Sequence, residues 1–496
     1  MLSARPLFVM PEYFINSGFD RRFVMTLAQS VYETINEAWA GPTLEALKEF
    51  VRLPAKSRNF NSHWETDGVL KAALLQAADW GKQRFANAEF RLIEKPGIPP
   101  ALFVRIPSKG GHTGSPAFFY GHLDKQPETT GWRKGLAPWT PVVENGRLYG
   151  RGAADDGYNY YLTLTAVEAL EKNAVPHPEI MCLFETDEES GSADLEDYIQ
   201  SIAPEVGSPA FIAIADLGAS DYSRVWLTQS LRGIIALTLN VRVLNTPSHS
   251  GSASGIVPSS FRIARMLLER IENAETGEIR IPELNPPVPT EISECIRRLS
   301  ESEDPRKQFD WAGHTHSPCT TAYDAMLTNT WKPSLSIIGA DGLPNTHNAG
   351  NLVREETSLR LSFRTPPTAN AHNALTAIKS ILTANPPYGA EVTVTDTAAE
   401  SGFETTLPSG RLGTLLNLSC QTHFGHDIGF TFCGASIGTL PAFKRAFPDA
   451  PFINTGALGP ESNAHAPNEC LNLEYTKKLT CVFADLIAGI PEGNEL

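Results

Sequence analysis

Residue types that bind metal ions or move protons recur at the ends of apolar, strand-like runs. His122 and Asp124 follow such a run in FFYGHLD, and Asp155 is the first acid of GRGAADD. The others are Glu188 and Glu189 after EIMCLFET, Asp216 at the end of AFIAIAD, and His465 in NAHAPNE beyond PFINTGA. Ligands gather beyond the carboxyl ends of strands in an open α/β sheet. We therefore expect these side chains to converge although they are far apart in sequence.

Their chemistry fits a site for two divalent metal ions. Such a site needs one carboxylate shared by ions roughly 3.5–4 Å apart, and further imidazole or carboxylate ligands for each. The candidate ligands are His122, Asp155, Glu189, Asp216 and His465. Glu188, beside a ligand, is the expected general base, and Asp124 is expected to accept the second imidazole N–H of His122. Nitrogen and oxygen ligands without cysteine suit Zn, with Mn or Co as alternatives.

Each motif also has a purely structural interpretation. A strand-end histidine is often a hydrogen-bonded structural residue, an EE pair often begins a helix, and DDG is often a turn capped by aspartate. GASIG also matches the nucleophile motif of serine hydrolases, with Ser436, Asp449 and His465 in the required order. That hypothesis leaves the other candidate ligands unexplained. EDTA would separate the two hypotheses, because it would inactivate only a metal enzyme.

The elements that must position these residues change character along the chain. Helical patterns alternate with short apolar strands up to about Ser230, which predicts an α/β fold with a mostly parallel sheet sandwiched by helices. From IIALTLNVRVL onward the order β-α-β-β-α-β predicts an inserted ferredoxin-like α+β domain. Its stretch PELNPPVP is expected to be a surface loop. The predicted domains are an α/β domain in two segments, 1–229 and 400–496, around an inserted domain, 230–399.

Composition excludes several classes of protein. The 496 residues are 42% hydrophobic, enough for a large core, and 41 basic against 56 acidic residues give a net charge of −15, which disfavours nucleic-acid binding. No apolar window approaches the roughly 18 residues of a membrane helix. MLSARPLFVMPEYFINSGF has no small-residue cleavage site and is expected to belong to the mature chain. Seven scattered cysteines without a CxxC pair favour reduced thiols in a cytoplasmic protein.

Taken together, these motifs resemble those of a known enzyme family. GHLD, GRGAADD, ETDEESGS, Asp216 and NAHAPNE are similar, in this order, to the motifs of the carnosinase-type dinuclear zinc peptidases. That family also contains glutamate carboxypeptidases, aminoacylases and succinyl-diaminopimelate desuccinylase. The resemblance implies that Asp155 bridges two metal ions and that Glu188 is the general base. It assigns His122 and Asp216 to one ion, and Glu189 and His465 to the other.

The resemblance also implies that the inserted domain is a lid through which two chains dimerise. His249 in PSHSG would contact the substrate carbonyl, and Asn351 in AGNLV would be a polar lid residue. Arg364 in LSFRTPP would bind a substrate carboxylate, and Ser436 in GASIG would belong to the substrate loop. In the resembling dipeptidases this histidine enters the active site of the partner. A role within its own chain or a structural role stays open, and Arg364 could be a solvated strand residue.

These observations predict a metallopeptidase that hydrolyses the amide bond of a dipeptide or short peptide. Aspartate at position 216 resembles the dipeptidase and aminopeptidase branches, whereas glutamate is commoner in the carboxypeptidase and deacylase branches. An N-acyl amino acid deacylase on the same metal site is the alternative. A catalytically inactive, peptide-binding relative is a third hypothesis, which the presence of Glu188 disfavours. The expected partners are a small peptide or N-acyl amino acid and a second copy of the chain, with neither nucleic acid nor membrane.

Overall fold

The computed structural model describes residues 27–492, with the exception of 407 and 437. The expectation for the N-terminal segment therefore lies outside the described residues. The chain divides into two compact units. Unit 1 contains the described residues up to Gln229, Thr405–Thr431, and those from Ala442 onward, and unit 2 contains Ser230–Glu404 and Phe432–Pro441. Unit 2 thus extends past residue 399 and includes a separate segment, which contains Ser436.

Unit 1 is built on a six-stranded sheet. Its strands are β1 (Glu89–Lys95), β2 (Ile98–Ile106), β3 (Ala117–His122), β6 (Ile180–Glu185), β7 (Phe211–Ile214) and β17 (Phe452–Asn454). They lie in the order β1-β2-β6-β3-β7-β17, with β6, β3, β7 and β17 parallel and β1 and β2 antiparallel. Every residue of β3 and β6 is buried. Burial on both faces explains why these strands are continuous apolar runs rather than alternating patterns.

Helices and short strands complete unit 1. The helices are α1 (Gln29–Ala40), α2 (Pro42–Arg52), α3 (Trp64–Asp67), α4 (Val69–Lys82), α5 (Tyr158–Lys172), α6 (Leu195–Val206), α12 (Gly410–Phe424), α13 (Thr439–Ala446) and α14 (Leu473–Ala488). The short strands are β4 (Val142–Glu144), β5 (Arg147–Tyr149), β8 (Trp226–Leu231), β16 (Gly429–Cys433) and β18 (Cys470–Asn472). β8, β16 and α13 include residues of both units. The predicted α/β architecture is confirmed.

Unit 2 is an antiparallel sheet with helices. Its strands are β9 (Gly233–Arg242), β10 (Ser248–His249), β11 (Ser334–Asp341), β12 (Leu352–Val353), β13 (Glu356–Thr365), β14 (Glu391–Glu400) and β15 (Phe403–Glu404). Its helices are α7 (Ser250–Ala253), α8 (Ser260–Leu268), α9 (Thr290–Leu299), α10 (Ala322–Trp331) and α11 (Ala371–Thr383). The main sheet has the order β11-β13-β9-β14. The elements β9, α8, β11, β13, α11 and β14 therefore follow the predicted β-α-β-β-α-β order.

The core of unit 2 lies between its main sheet and its helices. Residues alternate between buried and half-buried along β9 and β13, so each strand has one face toward the core. Leu239 of β9 and Leu361 of β13 pack in one cluster with Ile263 of α8 and Ile378 of α11. Leu284 of PELNPPVP is fully buried in the same cluster. The other residues of this stretch are exposed or half-buried, as expected of a surface loop, and the leucine anchors the loop to the core.

The structure bears on two further features, membrane-spanning helices and disulfide bonds. No described helix has the combined length and apolar character that a membrane crossing requires. All seven cysteines are free. All seven lie among the described residues, and none of them forms a disulfide bond.

Candidate metal centre

The predicted metal ligands of unit 1 lie beyond the carboxyl ends of its parallel strands. His122 is the last residue of β3, and Asp216 lies two residues beyond the end of β7. Glu188 and Glu189 lie in a 3₁₀ turn after β6. Asp155 lies in the turn before α5, where its backbone is not helical. His465 lies in the loop between β17 and β18 and has a positive φ of 61°.

Asp155 lies between two histidines. Its Oδ1 is 3.1 Å from His122 Nε2, and its Oδ2 is 3.0 Å from His465 Nε2. Each carboxylate oxygen therefore faces a different imidazole. A carboxylate that serves two sets of ligands in this way is what a two-ion centre requires.

Each remaining carboxylate lies close to one of these two histidines. Asp216 Oδ2 is 3.6 Å from His122 Nε2, and Glu188 Oε2 is 3.8 Å from the same atom. Glu189 Oε2 is 3.0 Å from His465 Nε2. Gln126, which the sequence analysis missed, donates from Nε2 to Glu189 Oε2 at 2.7 Å. Both histidines thus have the Asp155 carboxylate and at least one further carboxylate close to them.

Burial and close charges shift the protonation of the cluster. Burial raises the pKa of Glu188 well above its ordinary value, against the opposing effect of His122. Burial also raises the pKa of Asp216 to about 6. Hydrogen bonds to Asp155 and Glu189 raise the pKa of His465 to about 10. Divalent cations suit a cluster so rich in carboxylates. A metal ion also binds the neutral form of imidazole, so its binding would displace the proton that the carboxylates hold on the histidine.

Asp156 provides an independent test of whether this donor set fits a metal. Its Oδ2 accepts from Asn159 Nδ2 at 2.9 Å and from the backbone N–H of His122 at 3.3 Å. Its buried Oδ1 has no hydrogen-bond partner among the described residues. Donor atoms of His122, Asp156 and Asp216 lie within 4.8 Å of one another, as do those of His122, Asp155 and Glu189. A buried carboxylate oxygen without a partner destabilises the fold unless a cation or a hydrogen-bond donor binds it. A metal ion would satisfy this oxygen, so the residues fit a metal centre.

Asp124 connects the two halves of the centre. It is fully buried, and its Oδ1 is 3.3 Å from His122 Nδ1. Its two oxygens accept the backbone N–H groups of Glu188 at 3.3 Å and Glu189 at 3.1 Å. The same side chain therefore orients one candidate ligand and holds the turn that carries a second ligand and the candidate base, which is the geometry expected of an outer partner of a metal site.

Glu469 is a buried residue that the sequence analysis missed. Its Oε1 accepts the backbone N–H groups of Gly152 at 2.9 Å, Ala154 at 3.2 Å and Asp155 at 3.3 Å. Its Oε2 accepts from Arg151 Nη1 at 2.7 Å. Glu469 therefore holds the turn that presents Asp155. Its role could not be predicted from local sequence, because its partners are 314 to 318 residues away. Only its place in NAHAPNE, close to a candidate ligand, could have drawn attention to it.

We expect Glu469→Gln to lower the free energy of unfolding by about 3–5 kcal/mol, because it leaves the buried Arg151 guanidinium without its counter-charge. Urea unfolding followed by fluorescence measures the change. Glu144→Gln is the matched control: Glu144 Oε2 pairs with Arg133 Nη2 at 2.5 Å, but both side chains are exposed, and no measurable loss is expected. Equal stability of the two variants would show that Glu469 is not a structural support of the turn.

The other four predicted site residues lie in unit 2, as two pairs. His249 is paired with Leu352 between β10 and β12, and the adjacent Ser250 N–H donates to Asn351 O at 2.9 Å. Both His249 and Asn351 are exposed. In the second pair, Arg364 Nη1 donates to Ser436 Oγ at 2.8 Å. The structure therefore groups these residues within unit 2, and the metal-type residues within unit 1.

These contacts do not support the serine-hydrolase hypothesis. The hydroxyl of Ser436 accepts from Arg364, and Nε2 of His465 faces Asp155 and Glu189. A histidine that serves as general base for serine must instead have a ring nitrogen free for the hydroxyl.

An α/β sheet whose strand ends gather carboxylates and imidazoles, in a chain with an inserted α+β unit, is typical of a metal-dependent hydrolase. Residues 118–489 match the family described as Peptidase family M20/M25/M40, and the chain belongs to this family. The cysteinylglycine-S-conjugate dipeptidase of Corynebacterium striatum is 25% identical over 422 residues, which cover 80% of this chain and 86% of that protein. The Cys-Gly metallodipeptidase of Schizosaccharomyces pombe is 25% identical over 402 residues, covering 75% and 79%.

Solved structures agree with this fold. Human carnosine dipeptidase 1 superposes with a TM-score of 0.66 at 20% identity, covering 94% of this chain and 99% of that one. A family metallo-carboxypeptidase from Sulfolobus solfataricus superposes with a TM-score of 0.71 at 19% identity, covering 91% and 100%. The predicted membership of this peptidase family is confirmed.

Proposed function

We propose that this protein hydrolyses dipeptides or short peptides with two divalent metal ions, with Zn as the expected metal and Mn or Co as alternatives. The observation that supports this most strongly is the Asp155 carboxylate between His122 and His465 in a member of a peptidase family. The two dipeptidases named above support the substrate class. The proposed ligands are His122, Asp155 and Asp216 for one ion, and Asp155, Glu189 and His465 for the other.

Glu188 is the proposed general base. Its carboxylate is largely buried next to His122 but is farther from it than the carboxylates of Asp155 and Asp216. Glu188 takes a proton from the water that attacks the scissile carbonyl, and gives that proton to the leaving amine. Divalent ions held by the five ligands would polarise the carbonyl and lower the pKa of water. Asp124 keeps the imidazole of His122 in position during both steps.

A substrate panel tests this function. Dipeptides with free and with acetylated N termini are assayed before EDTA treatment, after it, and after addition of Zn. We expect hydrolysis of the free dipeptides, its loss with EDTA and its recovery with Zn. Faster hydrolysis of the acetylated compounds would favour the N-acyl amino acid deacylase. Hydrolysis that survives removal of all metal would contradict the proposal.

Arg364 is proposed to bind the C-terminal carboxylate of the substrate. We expect Arg364→Ala to raise KM for a free dipeptide by about 10–100-fold more than KM for the same dipeptide amidated at its C terminus, because a charge-assisted hydrogen bond is lost only with the former. Steady-state kinetics on both substrates measure the difference. Arg360→Ala removes another arginine from the same strand face and is the control. Equal effects on the two substrates would remove Arg364 from this role.

We also propose that two chains dimerise through unit 2, which would be the lid. β11 is an edge strand of the main sheet, and its residues from Ser336 onward are exposed. Ile337 and Ile338 on this strand are 52% and 63% exposed. An edge strand with exposed apolar residues is prone to pair with another chain. A second copy of the chain is the proposed partner, and His249 is proposed to reach the partner's active site and stabilise the oxyanion.

Complementation between inactive chains tests the role of His249. A Glu188→Gln chain retains His249, and a His249→Ala chain retains Glu188. After dissociation and mixing, a heterodimer holds one site with both groups intact, so we expect activity to rise above that of either parent. Native mass spectrometry confirms that heterodimers formed. Heterodimers that show no gain in activity would place His249 in its own chain's site or in no site.

We also propose that the protein is located in the cytoplasm. All seven cysteines are free thiols, and cysteines persist in that form in reducing compartments. Cell fractionation with an antibody to the protein tests it, and recovery in a secreted fraction would contradict it.

A further inference from the structure

Arg232 is a buried arginine that lies between β8 and β9 and is only 7% exposed. Its Nε donates to Gly434 O at 3.0 Å, and its Nη1 donates to Ser334 Oγ at 3.3 Å. Its Nη1 also reaches the carbonyl oxygens of Thr328 and Lys332 at the carboxyl end of α10. Within the described parts of the chain, Nη2 makes no hydrogen bond, and no carboxylate lies within 4.0 Å of this guanidinium.

Arg364 brings a second guanidinium to the same place. Ser334, which accepts from Arg232, lies directly opposite Arg364 in the β11–β13 pairing. Both arginines hold the chain between Cys433 and Ser436: the Arg232 backbone N–H donates to Cys433 O at 3.3 Å, and Arg364 Nη1 donates to Ser436 Oγ. Arg364, too, lacks a carboxylate within 4.0 Å in the described chain. Two arginines thus meet at one short segment without an acid between them.

The local charges do not balance. Burial and the nearby Arg364 lower the pKa of Arg232 to about 10. The carboxyl end of α10 offers only about half a negative charge, which offsets part of one guanidinium. A buried charge that lacks a full counter-charge is costly. An anionic ligand between the two guanidiniums would supply the missing charge, and planar guanidinium groups are well suited to a carboxylate.

We propose that Arg232 is a second substrate-binding residue, which binds the C-terminal carboxylate of the substrate together with Arg364. This inference rests on the proposed function and deepens it. The Nη2 group of Arg232 is the donor available for the ligand, while Nε donates to Gly434, two residues before Ser436, and Nη1 donates to Ser334 of β11. Gly434 permits this arrangement, because a Cβ there would lie 2.6 Å from Asn329 Oδ1 and 2.7 Å from Asn329 O in α10. The competing role for Arg232 is that of a cap for α10 alone.

The kinetic test uses Arg232→Met, Arg364→Met and the double variant, because methionine keeps apolar bulk and removes the charge. The substrates are L-alanyl-L-alanine and its C-terminal amide, and Arg360→Met is the control. Each single variant is expected to raise KM for the free dipeptide by about 10–100-fold, with a smaller change for the amide. The decisive comparison is in the Arg364→Met background, where Arg232→Met should remove the remaining preference for the free carboxylate.

Other outcomes would overturn the inference. If Arg232→Met changes both substrates equally, or has no effect on preference in the Arg364→Met background, Arg232 only caps α10. If Arg232→Met does not fold, Arg232→Lys keeps the charge, and its preference for the free dipeptide should be intermediate between those of wild type and Arg364→Met. Unchanged preference in a folded Arg232→Lys protein would contradict the role in that case.

Binding separates failure of this inference from failure of the proposed function. If the wild-type protein hydrolyses neither these two substrates nor any free dipeptide of the panel, the proposed function fails. Calorimetry of the metal-loaded protein with N-acetyl-L-alanine and its amide then decides the inference. Tighter binding of the carboxylate, lost in Arg232→Met and retained in Arg360→Met, supports it. Equal binding of the two compounds by the wild-type protein overturns it.

Discussion

Replacement of Glu188 by glutamine is expected to lower kcat for dipeptide hydrolysis by about 10²–10⁴-fold while both metal ions stay bound. Glutamine has the size of glutamate but cannot take up the proton of the attacking water, and a well-placed general base contributes a factor of this size. Metal should be retained, because Glu188 Oε2 is 3.8 Å from His122 Nε2, farther than the proposed ligands Asp155 and Asp216. Elemental analysis and steady-state kinetics on one preparation measure both properties.

Glu196→Gln is the control for this variant. Glu196 lies in α6 of the same unit, and its side chain is 55% exposed, so the substitution should leave kcat and metal content unchanged. Near-normal turnover of Glu188→Gln would exclude Glu188 as the base. Loss of both metals from that variant would instead assign Glu188 to the ligands.

Asp155→Ala is expected to be the most damaging substitution among the proposed ligands. The carboxylate lies 3.1 Å from His122 and 3.0 Å from His465, so both proposed ions lose a ligand and the negative charge between them. Loss of an outer partner of a metal site typically weakens binding by about 10–100-fold, and loss of a shared ligand should exceed that for both ions. Elemental analysis after dialysis against metal-free buffer should find neither ion.

Asp216→Ala separates the shared role from that of a ligand for one ion. Asp216 lies 3.6 Å from His122 Nε2 and is a proposed ligand of one ion only, so its loss should weaken that ion and spare the other. If Asp155→Ala still binds two ions tightly, or loses only one, the carboxylate of Asp155 is not shared.

The main elements could be predicted from sequence because the burial of a strand determines its pattern of apolar residues. β3 and β6 are buried at every position, and their continuous apolar runs mark them as central strands. The alternation along β9 marks a strand with one face toward a core. PELNPPVP could not be read in this way. A single leucine, Leu284, anchors it to the core of unit 2, and two apolar residues among prolines give no period.

Site residues could be predicted only where a metal-type residue directly follows a strand that is recognisable in the sequence. His122 and Asp216 follow buried strands, and the resemblance to a family supplied the shared role of Asp155. Glu469 and Arg232 were missed, because their contacts are with residues distant in sequence. Nothing in a local pattern shows that a charged side chain is buried, since most such residues are solvated.

We propose that peptide hydrolysis requires two metal ions held by the cluster around Asp155. The most direct test is to strip the protein of metal, confirm its removal by elemental analysis, and titrate it with Zn while bound Zn and dipeptide hydrolysis are measured in the same samples. We expect no activity without metal and full activity at two Zn ions per chain, with neither binding nor activity restored in Asp155→Ala. Hydrolysis by the metal-free protein, or a fully loaded protein that cleaves no dipeptide, would contradict it.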